Sequence, residues 1–542
     1  MTLTGVQPAR AATITVNSNA DTVANDGACT LREAITAANT DTASGIAVGE
    51  CPAGSAGADT ISFAGNYTIT LGGTQLPVVT TQITINGNGT TNTDIRANAS
   101  PNVAASRVFE VSATGNLTLS DLTVQNGRCA AMCDTYPNNG GGIANAGTLT
   151  ITFSRLESNS VTQDGGGIFN AGTLTVTNST FVSNTSSNNG GGIYNNDTLT
   201  VTNSTFNTNT AGDSGGGIFN GGFAMSITNS QFTQNSSSSG GGSIYNSSSN
   251  MDTVSITSST FNNNSSNAGG GIYNVVGNLN IAASSFSGNS ASATLSGGGG
   301  IYNGYGMTIT NSTISGNQSL ADNGGGITND GTLTITGSTI FNNQAFYNGG
   351  GIFNGNGSTL ILANSFISNN SAANTSGGGG GIMNAGGNIN VTNSTFSSNS
   401  STDDGAGIHN SSGTATVTNS TISGNSASSS GGGIYIGSGT FNLRNTIIAN
   451  SVNGGDCVGT IASTSNNLIE NASSACGLIN GVNGNIIGSD PNLGSLTGSP
   501  EYLPLNAGSP AIDAGDDAIC AAAPVNNQSQ NGVTRPAGSA CD

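Results

Sequence analysis

The chain has no tryptophan, no lysine and a single histidine, and only 6% of its 542 residues are charged. Each absence excludes something. With eight arginines as its only strong cations against 27 acidic residues, it carries a formal net charge of −19. Nucleic acid and anionic lipid are held through cations that neutralise phosphate, so neither is an expected partner. One histidine, His409, and no G-x-S-x-G elbow leave no basis for a nucleophilic triad. No run approaches the ~18 apolar residues of a membrane helix, and helical membrane insertion is not expected.

What is present is Gly, Ser, Thr and Asn, arranged around regularly spaced Ile, Leu, Val and Phe that supply a core. A disordered polar tract lacks such residues. One phrase recurs over residues 138–450: GGGIFNAGTLTVTNSTFVSN from Gly165, GGGIYNNDTLTVTNSTFNTN from Gly190, GGGITNDGTLTITGSTIFNN from Gly324. The Ile after the glycines falls at 143, 168, 193, 218, 244, 272, 301, 327, 352, 382, 408 and 434, twelve repeats spaced 25 to 30 residues apart. Each holds three extended pieces, G-I-x-N, L-T-I-T and S-T-F-x-x-N, with period-two alternation and β-branched residues between Gly, Asn and Ser turn signals. No two-residue hairpin signal reverses the chain. The expected fold is therefore all-β: a single right-handed parallel β-helix climbing one sheet spacing per repeat.

Alternation puts Ile168, Asn170, Leu174, Val176 and Phe181 inside and Thr173, Thr175 and Thr177 outside. Burying four apolar side chains recovers roughly 6 to 12 kcal/mol. Ordering a 25-residue coil costs at least ~25 kcal/mol, so stability must come from stacking like on like. Two asparagine registers, one through Asn170, Asn195 and Asn220 and the other through Asn184, Asn209 and Asn235, are expected to form carboxamide ladders. The many N-x-S/T triplets are by-products of the phrase, not glycosylation sites.

Outside the repeat, residues 1–11 read as the remnant of a secretion signal, with Ala9, Arg10 and Ala11 as its small-residue end, against the alternative of a chance match. Residues 12–56 read as an N-terminal cap, 57–137 as irregular first coils, and 451–542 as C-terminal coils with a disulfide-rich cap. The cap holds the one convincing helix, 31–39, where Thr30 and Glu33 make a capping box and Leu31, Ala34, Ile35 and Ala38 share a face. It is placed to shield the first edge strand. The eight cysteines lie at the two ends, and their order suggests pairing Cys29 with Cys51, Cys129 with Cys133, Cys457 with Cys476 and Cys520 with Cys541. Free thiols are the alternative. Disulfides belong to oxidising compartments, so a secreted or surface location is expected, and the spacing fits no structural metal site.

The CTLREAI phrase resembles the N-terminal CSLREA segment of secreted bacterial β-helix proteins, whose C-terminal part is often a choice-of-anchor Q domain. GSPAIDAG at 508–515 and Arg535-Pro536 before Ala540, Cys541 and Asp542 are similar to that domain. The GGGI and FxxN phrases resemble repeats in polymorphic outer-membrane autotransporter passengers. The resemblance implies a pectate-lyase-like helix displayed on or released from the cell. Family members usually continue past the final Cys-Asp with a closing strand and often an anchor, whereas this sequence ends at Asp542, which leaves attachment open.

Three functions compete. Phe169, Tyr194, Phe219, Tyr245, Tyr273, Tyr302 and Phe353 each follow the core Ile and should form an outward aromatic stripe, contacting glycans or like subunits, or simply stacking on one another beneath loops. That reading is a non-catalytic surface module without cofactor. The second is a polysaccharide lyase or glycosidase using Asp164, Asp213, Asp322 and Asp403, expected in one loop column. At ~4.8 Å per coil the closest two would lie about 10 Å apart, at the limit for glycosidase carboxylates. Asp403, Asp404 and His409 share a coil, but a lyase wants a cation there, and a calcium site at Asp403 and Asp404 lacks the usual signatures. The third is an ice or mineral binder using Thr152, Thr177, Thr202, Thr228 and Thr257 with Thr150, Thr175, Thr200, Ser226 and Ser255, an array interrupted by Asn280, Ala282, Ile361, Ala363 and Arg444.

Overall fold

The computed structural model describes residues 11–130, 133, 135–248, 254–294, 297–375, 377–536 and 538–541. Ala9 and Arg10 of the expected secretion signal, and Asp542, lie outside the described residues. The chain forms two compact units, Met1–Asp252 and Thr253–Asp542, and each is an all-β parallel solenoid.

One coil shows how the phrase folds. Gly165 takes a φ of +74°, and at Gly166 a Cβ would come within 2.4 Å of the Gly191 carbonyl oxygen one coil on. The first glycine is needed for a left-handed turn; the second lets two backbones meet. The strands Ile168–Asn170, Thr173–Thr177, Thr180–Val182 and Thr185–Ser186 follow. The sequence phrase predicts three pieces, and the structure adds a fourth, Thr185–Ser186, beyond the end of the third. The break is at Ser183, whose φ of 54° turns the chain so that Asn184 points into the core, where it is fully buried.

Pairing is parallel and in register, with Ile168 against Ile193, Leu174 against Leu199 and Phe181 against Phe206. Ile168, Asn170, Leu174, Val176 and Phe181 are each 0% exposed, while Thr173, Thr175 and Thr177 face outward. A slip of one residue would exchange the two sets. Buried carboxamides lock the register: Asn145, Asn170 and Asn195 each donate through Nδ2 to Oδ1 of the asparagine one coil on, at 2.7 Å. Asn159, Asn184 and Asn209 repeat the arrangement at 2.9 to 3.0 Å. A third ladder, absent from the sequence reading, uses serine. The Ser154 and Ser179 amides donate to the Oγ of Ser179 and Ser204.

Stacked core rings show how little one coil rotates on the next. Phe181 and Phe206 are 10° from parallel and Phe206 and Phe232 7°, where neighbouring strands of an ordinary sheet rotate by about 20 to 25°. The first strand of this unit, Thr13–Val16, is covered by the helix Leu31–Thr40, one residue longer than predicted. Thr30 and Glu33 form the expected capping box, and Leu31, Ala34, Ile35 and Ala38 are buried.

The Thr253–Asp542 unit repeats these rules, with ladders through Asn274, Asn303, Asn329, Asn354, Asn384 and Asn410. After Ile486–Ile487 the chain leaves the coils and returns along their outer wall. It is held there by asparagines at left-handed turns: Asn466 donates to the Ala514 carbonyl, Asn445 exchanges two bonds with Asp516, and Asn393 donates to the Gln528 carbonyl, at 2.8 to 3.1 Å. Four disulfides join Cys29 to Cys51, Cys129 to Cys133, Cys457 to Cys476 and Cys520 to Cys541. Among the described residues no helix is long and apolar enough to cross a membrane.

Candidate functional site

The four aspartates expected in one loop column fall in two. Asp164 immediately precedes the first glycine of its coil, whereas Asp213, Asp322 and Asp403 lie one residue further back. Successive backbone bonds from Asn188 to Gln163 and from Asp213 to Asn188 put Asp213 in the register of Gln163. The column of Asp164 runs through Asn139 and Asn189 instead. Counting from the glycine would have separated them.

These carboxylates are acceptors within turns. Asp164 Oδ1 accepts the Asn189 amide at 3.0 Å and its Nδ2 at 3.1 Å. Asp322 accepts the Gly297 amide at 3.0 Å and Asn323 Nδ2 at 2.9 Å. Asp404 accepts the Ser430 amide at 3.0 Å, and Asp403 accepts the Ser429 hydroxyl at 3.1 Å. Burial pushes the carboxyls of Asp164, Asp322 and Asp404 above the ordinary range, and the charge of Asp403 adds to the rise at Asp404. His409 shares the coil but sits edge-on to Tyr435, ring centroids 4.9 Å apart, and burial lowers its pKa. Among the described residues no group of three or more His, Cys, Asp and Glu is placed to hold a metal, Asp403 and Asp404 included.

The raised carboxyls set a direction for pH. The folded chain holds the Asp164 proton to higher pH than the unfolded chain, so this group's contribution to stability is greatest below the unfolded value of 3.8 and is lost as pH rises through the raised folded value. Asp164→Asn keeps the acceptor that Asn139 supplies one coil earlier, and removes the charge. The substitution is expected to raise the melting temperature at pH 7, with a gain that shrinks as pH falls through the carboxylate range. Thermal melts of both proteins from pH 3 to pH 8 check it; a gain independent of pH would contradict it.

The aromatic column is the more continuous arrangement. Because the core Ile points in, the next residue points out. In the first unit Phe169, Tyr194, Phe219 and Tyr245 stack with centroids 5.0 to 5.2 Å apart and planes within 7° of parallel. Tyr136 covers one end at 5.1 Å, and Phe169 is buried as a result. In the second unit Tyr273 and Tyr302 stack at 4.3 Å, and the Tyr302 hydroxyl donates to Asp330 at 2.8 Å. Burial, then the Asp330 charge, holds that phenol well above its ordinary pKa. The register continues through Thr328, Phe353, Met383, His409 and Tyr435. The last three were missed, although each follows a core Ile in the sequence. Ring faces are taken by ring neighbours, so solvent meets mostly ring edges and phenol hydroxyls.

A cavity of about 530 Å³ lies in the second unit between the last coils and the returning chain, with Ile447, Leu468 and Ile486 on one wall and Tyr502, Leu505 and Arg535 on the other. Among the described residues no carboxylate lines it.

Residues 419–437 match the Chlamydia polymorphic membrane protein repeat. The matched stretch, NSTISGNSASSSGGGIYIG, holds the elements that build a coil: the left-handed Asn419, core Ile422, ladder Asn425, the glycines and core Ile434. No curated protein sequence matches the chain.

Proposed function

We propose that this chain is a non-catalytic, secreted or cell-surface β-helix, an adhesin-like passenger, that meets cell-surface glycans or like subunits along its outward aromatic columns. The observation that carries the reading is the register-locked, outward-pointing stack Phe169, Tyr194, Phe219 and Tyr245. The match to a repeat of surface proteins is consistent with it. So are the CTLREAI and GSPAIDAG segments, which point to a protein of the CSLREA and choice-of-anchor Q type at the cell boundary. With ring faces occupied, contact is made through ring edges and the Tyr194 and Tyr245 hydroxyls, which suit the alternating C–H and O–H groups of a sugar or the flank of another stack. The acids serve as turn acceptors, no cofactor is involved, and the charge of −19 disfavours nucleic acid and anionic membrane.

The double variant Tyr194→Ala/Tyr245→Ala tests this. It is expected to lose binding to immobilised glycans or, if like subunits are the partner, to sediment as a smaller species. Tyr194→Phe/Tyr245→Phe keeps the stack and loses the hydroxyls, and should fall between. Unaltered binding and unaltered sedimentation of the alanine variant would sink the proposal.

A further inference from the structure

We infer that the threonine face of the Met1–Asp252 unit is an ice-binding surface. This goes beyond the adhesive reading and uses different residues.

Three consecutive coils place Thr148, Thr150 and Thr152, then Thr173, Thr175 and Thr177, then Thr198, Thr200 and Thr202 on the outer side of one parallel sheet, paired in register. The result is a three-by-three grid, all nine residues partly or fully exposed. By strand geometry its hydroxyls repeat about every 4.8 Å across coils and about every 6.7 Å along each strand. The central column does not stop at the grid. Thr13, Thr60, Thr84 and Thr118 lead into Thr150, and Ser226 follows Thr200, so a hydroxyl stands at that position in eight successive paired strands. The coils before Thr148 lack the repeat phrase, which hides their threonines from a search by phrase. The interruptions at Asn280, Ala282, Ile361, Ala363 and Arg444 all belong to the other unit.

Four properties select ice. The sheet twists little: rings carried on the same sheet, Phe169, Tyr194, Phe219 and Tyr245, stay within 7° of parallel from coil to coil, in the coils that carry Thr173–Thr177 and Thr198–Thr202. The hydroxyls of Thr150, Thr175 and Thr200, unlike those of Ser154, Ser179 and Ser204 in the turn that follows each strand, are bonded to no protein acceptor among the described residues and are left to water. Threonine has a stiff χ1, so a methyl and a hydroxyl are held at each point before anything binds. Among charged side chains of the described residues, that of Asp197 alone bonds a grid hydroxyl, 3.3 Å from Thr198 at the corner. An ionic mineral would require rows of charge, and a soluble glycan or protein does not repeat at one coil spacing in two directions. A rigid, neutral, two-dimensionally periodic face fits a neutral periodic solid, and many weak contacts made together give firm attachment.

The test is ice-affinity partition of the purified full chain, in which a slowly growing ice front either engulfs or rejects the protein, alongside microscopy of single ice crystals. The wild type is expected to be enriched in the ice and to shape the crystals. Thr175→Tyr and Thr200→Tyr place a good strand former at outward positions, so they should keep the wild-type melting temperature while enrichment falls to the level of a non-binding control protein. Thr334→Tyr, on the interrupted face of the other unit, should partition as the wild type does. So should Tyr194→Ala/Tyr245→Ala, which separates this inference from the adhesive one. Rejection of the wild type from ice, or enrichment of the folded Thr175→Tyr and Thr200→Tyr variants equal to wild type, would overturn it.

Discussion

Asn184→Ala is expected to cost about 4 kcal/mol of unfolding free energy, the combined effect of several orphaned buried polar groups at about 1 to 3 kcal/mol each. The Asn184 carboxamide accepts the Asn159 amide at 3.1 Å and its Nδ2 at 3.0 Å, and donates to the Leu156 carbonyl at 2.9 Å and to Asn209 Oδ1 at 3.0 Å. Every atom involved is shut away from water, so alanine leaves donors and acceptors in two neighbouring coils with nothing to replace the lost partner. Asn184→Asp isolates the donor side, because an aspartate would face the oxygens of Leu156 and Asn209. Burial would raise its pKa, so its stability would be greatest in acid and lost as pH rises. Urea unfolding at several pH values reads both effects. A loss below about 1 kcal/mol for the alanine variant would mean that the ladders follow the fold and do not hold it.

Arg107→Met should be comparably damaging, at about 3 to 5 kcal/mol for breaking a buried ion pair. Arg107 is 0% exposed, its Nη1 is 3.0 Å from Glu110 Oε2, and its Nη2 donates to the carbonyls of Thr135 and Tyr136 at 2.9 Å each. With methionine, Glu110 keeps the Gln75 amide at 2.9 Å and loses the charge that makes its burial tolerable. The arginine also sets the position of Tyr136, which closes the aromatic column over Phe169. A double-mutant cycle with Glu110→Leu checks the assignment. The double variant should recover much of the loss, since an apolar pair of similar size carries no desolvation cost; failure to recover would place the damage in the Thr135 and Tyr136 carbonyls.

Residues whose environment repeats were legible in the sequence. Ile168, Leu174, Val176 and Phe181 announce a buried column because the same residue types return at the same offset, and Asn170 and Asn184 announce ladders for the same reason. The capping box at Thr30 and Glu33 is a local signal and was equally plain. What escaped was either positional or singular. Asp164 and Asp213 look alike until each is counted from its glycine, and one residue of offset sends them to different columns. The ladder through Ser154, Ser179 and Ser204 hid among the many serines of the repeat region. The return of the chain along Asn393, Asn445 and Asn466 has no periodic trace, because its partners Gln528, Asp516 and Ala514 come from a segment that repeats nothing. Arg107 met its ion-pair partner only three residues away, but nothing in the sequence shows that both are buried.

Gly190 is to Gly215 as Gly165 is to Gly190, and Asn195 offers Asn220 the bond it receives from Asn170. Cutting out residues 190–214 would therefore bring together surfaces that already know how to meet. The chain behaves like a ruler whose divisions are interchangeable: a lineage can shorten or lengthen it in steps of about 4.8 Å by losing or duplicating one division, without inventing a new contact at the splice. Reach can evolve separately from what the faces recognise.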